Sequence, residues 1–99
     1  MAMLEISVVP VGTASPSLSR YVAGAVKTLK EARGVKYELT PMGTVIEGEL
    51  DTLLDCARKM HRAGFGEGVK RVVTTIKIDD RLDKPPTMSG KISAVWSKL

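Results

Sequence analysis

The chain has 99 residues, which fits a single domain over residues 1–99. Hydrophobic residues make up 43% and charged residues 26% of it, as is ordinary for a globular fold. The net charge of +4 is spread along the chain, so it permits binding of an anion or a nucleic acid but does not argue strongly for either. The single cysteine, Cys56, excludes an intramolecular disulfide and a zinc site built from several cysteines.

The opening MAMLEISVVP has no basic stretch before a long apolar run, so we expect no secretory signal. No apolar run approaches the ~20 residues that a bilayer-spanning helix needs. We therefore expect a cytoplasmic protein that does not contact membranes. A chain this short buries a small share of its surface, so we also expect it to gain buried area by oligomerising.

The first half of the chain predicts a strand, a helix and a hairpin. Residues 3–11 (MLEISVVPV) alternate with a period of two, which is typical of a strand with one buried face. Ser15-Pro16 fits a helix start, and an apolar stripe at three- and four-residue spacing follows until Gly34. Residues 35–40 and 44–49 predict two strands joined by the turn Pro41-Met42-Gly43, as in an antiparallel hairpin.

The second half predicts a helix, a long strand and a short final helix. An apolar stripe runs from Leu50 to Gly64, residues 69–79 (VKRVVTTIKID) predict the longest strand, and a short helix follows from Ser89. The order β-α-β-β-α-β indicates an α+β, ferredoxin-like sandwich. We expect a four-stranded antiparallel sheet with two helices on one face.

The sheet face opposite the helices, the open face, is the first place to look for function. Alternation assigns it these residues: Glu5, Ser7, Val9, Lys36, Glu38, Thr40, Val45, Glu47, Arg71, Val73, Thr75 and Lys77. Valines mixed with hydroxyls and charges of both signs fit a protein–protein surface with a polar pocket inside it. An ordinary solvated sheet face is the alternative, since antiparallel sheets often leave one face in water.

A ligand site on the open face would use its central residues. The topology predicts that Ser7 and Glu47 converge with Thr75 or Lys77. A carboxylate with hydroxyls suits a ligand that bears an amine or a cationic ring. The structural alternative for Glu47 is a salt bridge to Lys77 or Arg71.

Other chemistry has little support in the sequence. His61 falls on the apolar stripe of the second helix and is expected to be a hydrogen-bonded residue at the core edge, while Cys56 is expected to be a packed, unreactive side chain. Asp79, Asp80 and Asp83 are interleaved with basic residues, so we expect ion pairs and no metal site. Without a nucleophile–base set we predict no enzyme, no catalytic residue and no cofactor.

Nucleic-acid binding is not predicted either. RNA-binding domains of this topology stack bases on aromatic residues of the two central strands. Here those two strands carry no Phe, Tyr or Trp.

Three segments resemble one family: EISVVPVG, PMGTVIEGE and GVKRVVTTIKIDDR. They are similar to the UPF0045 family of thiamine-binding, YkoF-like proteins, and the likeness extends from Leu4 to about Val95. The resemblance implies a homodimer through packed open sheet faces, often paired into a tetramer. It also implies binding of thiamine or its hydroxymethylpyrimidine part.

Carried onto this sequence, the resemblance makes Ser7, Thr44, Glu47 and Lys77 pocket candidates, beside Thr75 from the open face. Alternation turns Thr44 inward, and Asp79 and Arg81 are candidates for subunit contacts instead. Our interpretation is a cytoplasmic carrier or sensor for thiamine or a related compound. The alternative is a structural or regulatory oligomeric module without a small-molecule ligand.

Overall fold

The computed structural model describes residues 1–13, 19–66, 68–84 and 86–99. The elements in chain order are β1 (Ala2–Val11), α1 (Ser19–Lys30), β2 (Lys36–Thr40), β3 (Gly43–Gly48), α2 (Leu50–Ala63), β4 (Arg71–Asp80) and α3 (Met88–Trp96). None of the described helices combines the length and the apolar character needed to cross a bilayer.

The four strands form one antiparallel sheet in the order β2-β3-β1-β4. This confirms the predicted βαββαβ topology, with β1 and β3 in the centre. The register places Met3 opposite both Glu47 and Asp79, and Ile6 opposite both Thr44 and Ile76. Because residues opposite one another point to the same side, the register decides which side chains can meet.

The core lies between the sheet and the helices α1 and α2. The period-two pattern of β1 buries Ala2, Leu4 and Ile6 on the helix side, and the helices cover them with apolar residues three and four apart. The other main core members are Ala25, Leu29, Ile46, Leu53, Cys56, Ala57 and Met60. Truncating a buried Leu or Ile here to Ala should cost about 2–5 kcal/mol of stability, because a cavity remains.

At Gly48, the last residue of β3, the backbone of Gly34 comes so close that no side chain fits. A Cβ on Gly48 would lie 2.9 Å from the carbonyl oxygen of Gly34, whose φ of +73° turns the chain from α1 into β2. Both positions therefore need glycine, Gly34 for its backbone angle and Gly48 for space.

Several boundaries differ from expectation. α1 ends at Lys30, before Gly34, and its predicted start at Ser15-Pro16 lies outside the described residues. Ile76 and Ile78 point to the helix side, as predicted, but are 44% and 45% exposed. The reason is that β4 is an edge strand and α2 packs mainly over β1.

The third helix does not join the helical layer. Its first residue, Met88, contacts Glu47, which alternates to the open face of the sheet. No residue of α3 is buried, and it begins at Met88, one residue before the predicted start.

Candidate functional site

A cavity of about 330 Å³ lies at the turn end of the β2–β3 hairpin. β3 begins at Gly43, whereas β1 runs on to Val11, so the second half of β1 has no neighbour on this side. The hairpin turn, α1 and α2 close the gap with Thr40, Met42, Val22 and other residues. Every described residue of the lining is uncharged, and most are apolar.

Two residues that bear hydroxyls, Ser7 and Thr44, line this cavity. Thr44 lies opposite Ile6 on the helix side and is 4% exposed, whereas Ser7 alternates to the open face. Both residues line the cavity next to Gly43, where β3 begins. Neither hydroxyl has a hydrogen-bond partner among the described residues, so both are available to a ligand.

A third hydroxyl in the lining is already engaged. Thr40 Oγ1 donates to the carbonyl oxygen of Gly43 at 2.8 Å and accepts from the N–H of Gly43 at 3.1 Å. These bonds close the hairpin turn. Thr40 therefore shapes the cavity wall, and Ser7 and Thr44 are the other lining residues that bear hydroxyls.

The remaining open-face candidates lie outside the cavity lining. Thr75 is directly opposite Ser7 on β4 and is exposed. Lys77 lies one row further on, and its Nζ is 3.8 Å from Glu5 Oε1. This pair is largely in water, with the Lys77 side chain 79% exposed, so it contributes little to stability.

Glu47 does not converge with the other candidates. It lies opposite Met3, four residues along β1 from Ser7, a separation of roughly 13 Å at the rise of a strand. Its side chain is buried, and Oε2 accepts a hydrogen bond from the backbone N–H of Met88 at 2.8 Å. Neither salt bridge predicted as the alternative for Glu47 is formed, because Lys77 pairs with Glu5 and Arg71 lies opposite Val11, at the other end of β1.

This hydrogen bond of Glu47 was not predicted from its own position in β3. The sequence signal for it lies at the start of α3, around Met88. Thr87 stands three residues before Gly90 and caps α3 by accepting from its N–H at 3.0 Å, which fixes the helix start at Met88. A helix start near a carboxylate on the sheet is a pairing that electrostatics favours.

The contacts of His61 and the burial of Cys56 fit structural roles for both side chains. His61 Nδ1 and Thr74 Oγ1 are 2.6 Å apart, and the Phe65 ring meets the imidazole edge-to-face at 5.5 Å. This is the hydrogen-bonded histidine that the sequence predicted. Burial, with the nearby Asp55 carboxylate, raises the pKa of the Cys56 thiol, so the thiol is protonated at neutral pH.

The acidic residues after β4 are paired with basic ones. Asp79 Oδ2 lies 2.5 Å from Lys91 Nζ. Asp83 forms a bidentate salt bridge with Arg81 through both carboxylate oxygens. The Arg81 guanidinium holds the pKa of the Asp83 carboxyl below its usual value. Within the described ranges, no three His, Cys, Asp or Glu residues are grouped as metal ligands.

A larger hollow of about 490 Å³ lies between α1 and α2 on the outer surface. Its lining mixes Lys27, Glu31 and Lys59 with Asp55. Asp55 is already paired with Arg58 and with Lys59, the latter at 3.2 Å. This hollow is a solvated groove between two helices, and the uncharged cavity is the better candidate for a ligand.

Comparisons with known proteins show the family of this chain. A family model described as "Thiamine-binding protein" matches residues 4–96. The chain belongs to the thiamine-binding protein family. The UPF0045 protein YqgV of Bacillus subtilis is 47% identical, covering 100% of this chain and 98% of that protein. A UPF0045 protein of Methanothermobacter thermautotrophicus is 44% identical over the full length of both.

Solved structures show the same fold in this family. The hypothetical protein MJ1052 of Methanocaldococcus jannaschii superimposes with a TM-score of 0.87 and 37% identity, over 96% of this chain and 95% of that one. TM0486 of Thermotoga maritima, provisionally assigned to thiamine biosynthesis or salvage, gives a TM-score of 0.78 and 26% identity, over 95% and 97%. Membership in a thiamine-binding family favours binding over catalysis for this chain.

Proposed function

We propose that this protein binds thiamine, or its hydroxymethylpyrimidine part, in the cavity at the hairpin end of the sheet. In this role it acts as a cytoplasmic carrier or sensor and catalyses no reaction. The observation that carries the proposal is an uncharged cavity with two unpaired hydroxyls, Ser7 and Thr44, in a chain of the thiamine-binding family.

The chemistry of the cavity suits the neutral pyrimidine better than the cationic thiazolium ring. An aromatic ring gains from apolar walls and from the Met42 thioether, while its amino group and ring nitrogens can bond to the hydroxyls. The cationic ring would remain at the mouth, where Thr75 faces Ser7. Glu5 is then its nearest carboxylate on the open face, with Lys77 paired to it.

We further propose that the protein associates with itself through the open face, as a dimer that pairs into a tetramer. Val9 and Val73 lie opposite each other there and are 39% and 47% exposed. Covering these valines would remove apolar surface from water, which favours association. A second copy offers the same valines and charges of both signs.

The ligand proposal is tested by calorimetric titration of thiamine and of hydroxymethylpyrimidine into the wild type, Ser7→Ala and Thr44→Val. Each variant removes one hydrogen-bonding hydroxyl and should weaken binding about five- to tenfold. Thr52→Val, a half-buried threonine of α2 outside the cavity, is the matched control and should bind normally. Absence of both heat and a thermal shift at millimolar ligand would refute the proposal.

A structural module without a ligand is the second candidate. It is favoured by one observation, that Glu47 is occupied by α3 and so is not offered to a ligand. Native mass spectrometry of the protein as purified, and again after adding thiamine, separates the two. A retained or added small mass supports the carrier, whereas a multimer that ignores thiamine supports the module.

A further inference from the structure

Gly64 ends α2 at a point where the structure leaves no room for a side chain. The residue is buried, and a Cβ there would lie 2.8 Å from Val8 Cγ1 and 3.2 Å from Val72 Cγ2. The first distance is far inside the separation of about 3.5–4.0 Å at which two carbon atoms attract each other. The carbonyl oxygen of His61 would also be 3.2 Å away, so the added methyl group would be crowded by its own helix as well.

The backbone does not require a glycine at position 64. Glycines that follow a helix usually adopt a positive φ, as Gly34 does between α1 and β2. Gly64 instead has φ −65° and ψ −19°, which alanine adopts without strain. Alanine is also the better helix former. Space against the sheet is therefore the physical reason for a glycine here.

The end of α2 is held against the sheet on both sides of this contact. His61 Nδ1 and Thr74 Oγ1, which are 2.6 Å apart, join the last turn of α2 to β4, and Thr74 lies opposite Val8. One turn earlier, Met60 is buried in the core. A group added at Gly64 would therefore displace a side chain of β1 before it displaced the helix.

Val8 has only one open side. Its β4 neighbour Thr74 is bonded to His61, and Ile6, which shares its face of β1, is buried. Toward the hairpin, β1 has no strand partner beyond Ile6, and the cavity that Val8 lines lies there. Rotation about χ1 gives little relief, because valine is branched at Cβ and stiff. Val8 would therefore move into the cavity.

We propose that Gly64 is a positioning residue for the ligand cavity and that it acts through Val8. Because it carries no side chain, α2 can end close to β1 while Val8 stays clear of the cavity. Gly64 thereby sets the size of the ring that the cavity accepts, although it is not part of the lining. This role rests on the proposed function and deepens it by naming what limits the ligand's size.

The test is calorimetric titration of hydroxymethylpyrimidine, and of the same pyrimidine without its ring methyl group, into the wild type and Gly64→Ala. Gly64→Ala should bind hydroxymethylpyrimidine about tenfold more weakly, because Val8 occupies space that the ring needs. The smaller ring should lose less, so that the preference shifts toward it by about fourfold, the value of one methyl group.

Gly24→Ala is the matched control. It makes the same change on α1, where a Cβ would meet no described residue beyond its own helix within 4 Å, and Gly24 is not part of the cavity lining. Its affinities for both pyrimidines should equal those of the wild type. An equal loss of affinity in Gly24→Ala and Gly64→Ala would refute a specific role for Gly64.

A double variant separates positioning from stability. Val8→Ala removes the methyl groups that an alanine at position 64 would press on, so Gly64→Ala/Val8→Ala should regain most of the lost affinity. If Gly64→Ala alone does not fold, a folded double variant supports the contact and an unfolded one refutes it. A lower thermal midpoint in Gly64→Ala with wild-type affinities for both rings would show a purely structural role and refute the proposal.

The outcome for Gly64 and the outcome for the ligand are distinguishable, because crystal structures of the wild type and Gly64→Ala need no ligand. We expect Val8 to be displaced toward the cavity and the volume to fall below the 330 Å³ of the wild type. A smaller cavity in a protein whose wild type binds neither pyrimidine would support the role of Gly64 and refute the ligand proposal. An unchanged cavity would refute the role of Gly64 even if the wild type binds thiamine.

Discussion

At the scale of single residues, Ser7 and Thr44 both line the cavity that lies where β3 begins. Their side chains alternate to opposite faces of the sheet, so the lining draws on both faces. β3 starts at Gly43, where a Cβ would lie 3.0 Å from the carbonyl oxygen of Ile6. A glycine at this point lets the turn fold tightly against β1.

Cys56 should be chemically inert in the folded protein. It is 5% exposed, and burial raises the pKa of its thiol, so little thiolate exists at neutral pH. We expect a disulfide reagent at pH 7.5 to modify the native protein at least a hundredfold more slowly than the unfolded chain. Equal rates in native and denaturing buffer would contradict this.

The hydrogen bond between His61 and Thr74 should be a stability contact. Thr74→Val keeps the side-chain shape but leaves the half-buried imidazole without this partner, at a cost of roughly 1 kcal/mol in the free energy of unfolding. The midpoint of thermal unfolding should fall by about 4–8 °C. Thr75→Val, the exposed neighbour on the other face, is the control and should leave the midpoint unchanged.

At the scale of elements, the β2–β3 hairpin forms one wall of the cavity. The Thr40 hydroxyl holds its turn through two bonds to Gly43. Thr40→Val should therefore loosen the turn, weaken ligand binding several-fold and speed hydrogen exchange of residues 41–43. Thr40→Ser keeps the hydroxyl and should restore both properties. A ligand affinity unchanged in Thr40→Val would show that the turn does not shape the site.

Local patterns predicted the elements well, because each is governed by residues close in sequence. Alternation in β1 and the stripe from Leu50 to Met60 mostly became buried faces, with the exception of Leu54, which is 42% exposed. The exposure of Ile76 and Ile78 could not be predicted from the alternation in β4. α2 reaches β4 at Thr74 but packs mainly over β1, so it leaves Ile76 and Ile78 exposed, which β4's own sequence does not indicate.

The candidate site was predicted less well than the elements, because its contacts join residues that are far apart in sequence. Ser7 and Thr44 were identified and do share a cavity, but Glu47 was grouped with them although its hydrogen-bond partner, Met88, lies 41 residues away. Adjacent strands do not by themselves bring side chains together. The register determines the row, and Glu47 lies in the row of Met3, not in that of Ser7.

At the scale of the whole molecule, the cavity and the α3 attachment occupy opposite ends of β1. The cavity surrounds Ser7 to Val9, whereas α3 is tied to the row of Met3. Helices α1 and α2 cover one face, whereas the open face is contacted only near the row of Met3, by α3, in the part of the chain that the structure describes. Ligand binding and assembly should therefore be separable by mutation.

Val73 provides the sharpest test of assembly through the open face. It lies opposite Val9 and is 47% exposed, so Val73→Lys places a charge where two open faces would pack without disturbing the monomer core. A buried, unpaired lysine is costly, so the multimer should dissociate to monomers in sedimentation velocity. Leu54→Lys, at a similarly exposed position on α2 (42%), should keep the wild-type mass. A Val73→Lys protein that sediments at the wild-type mass would exclude open-face packing.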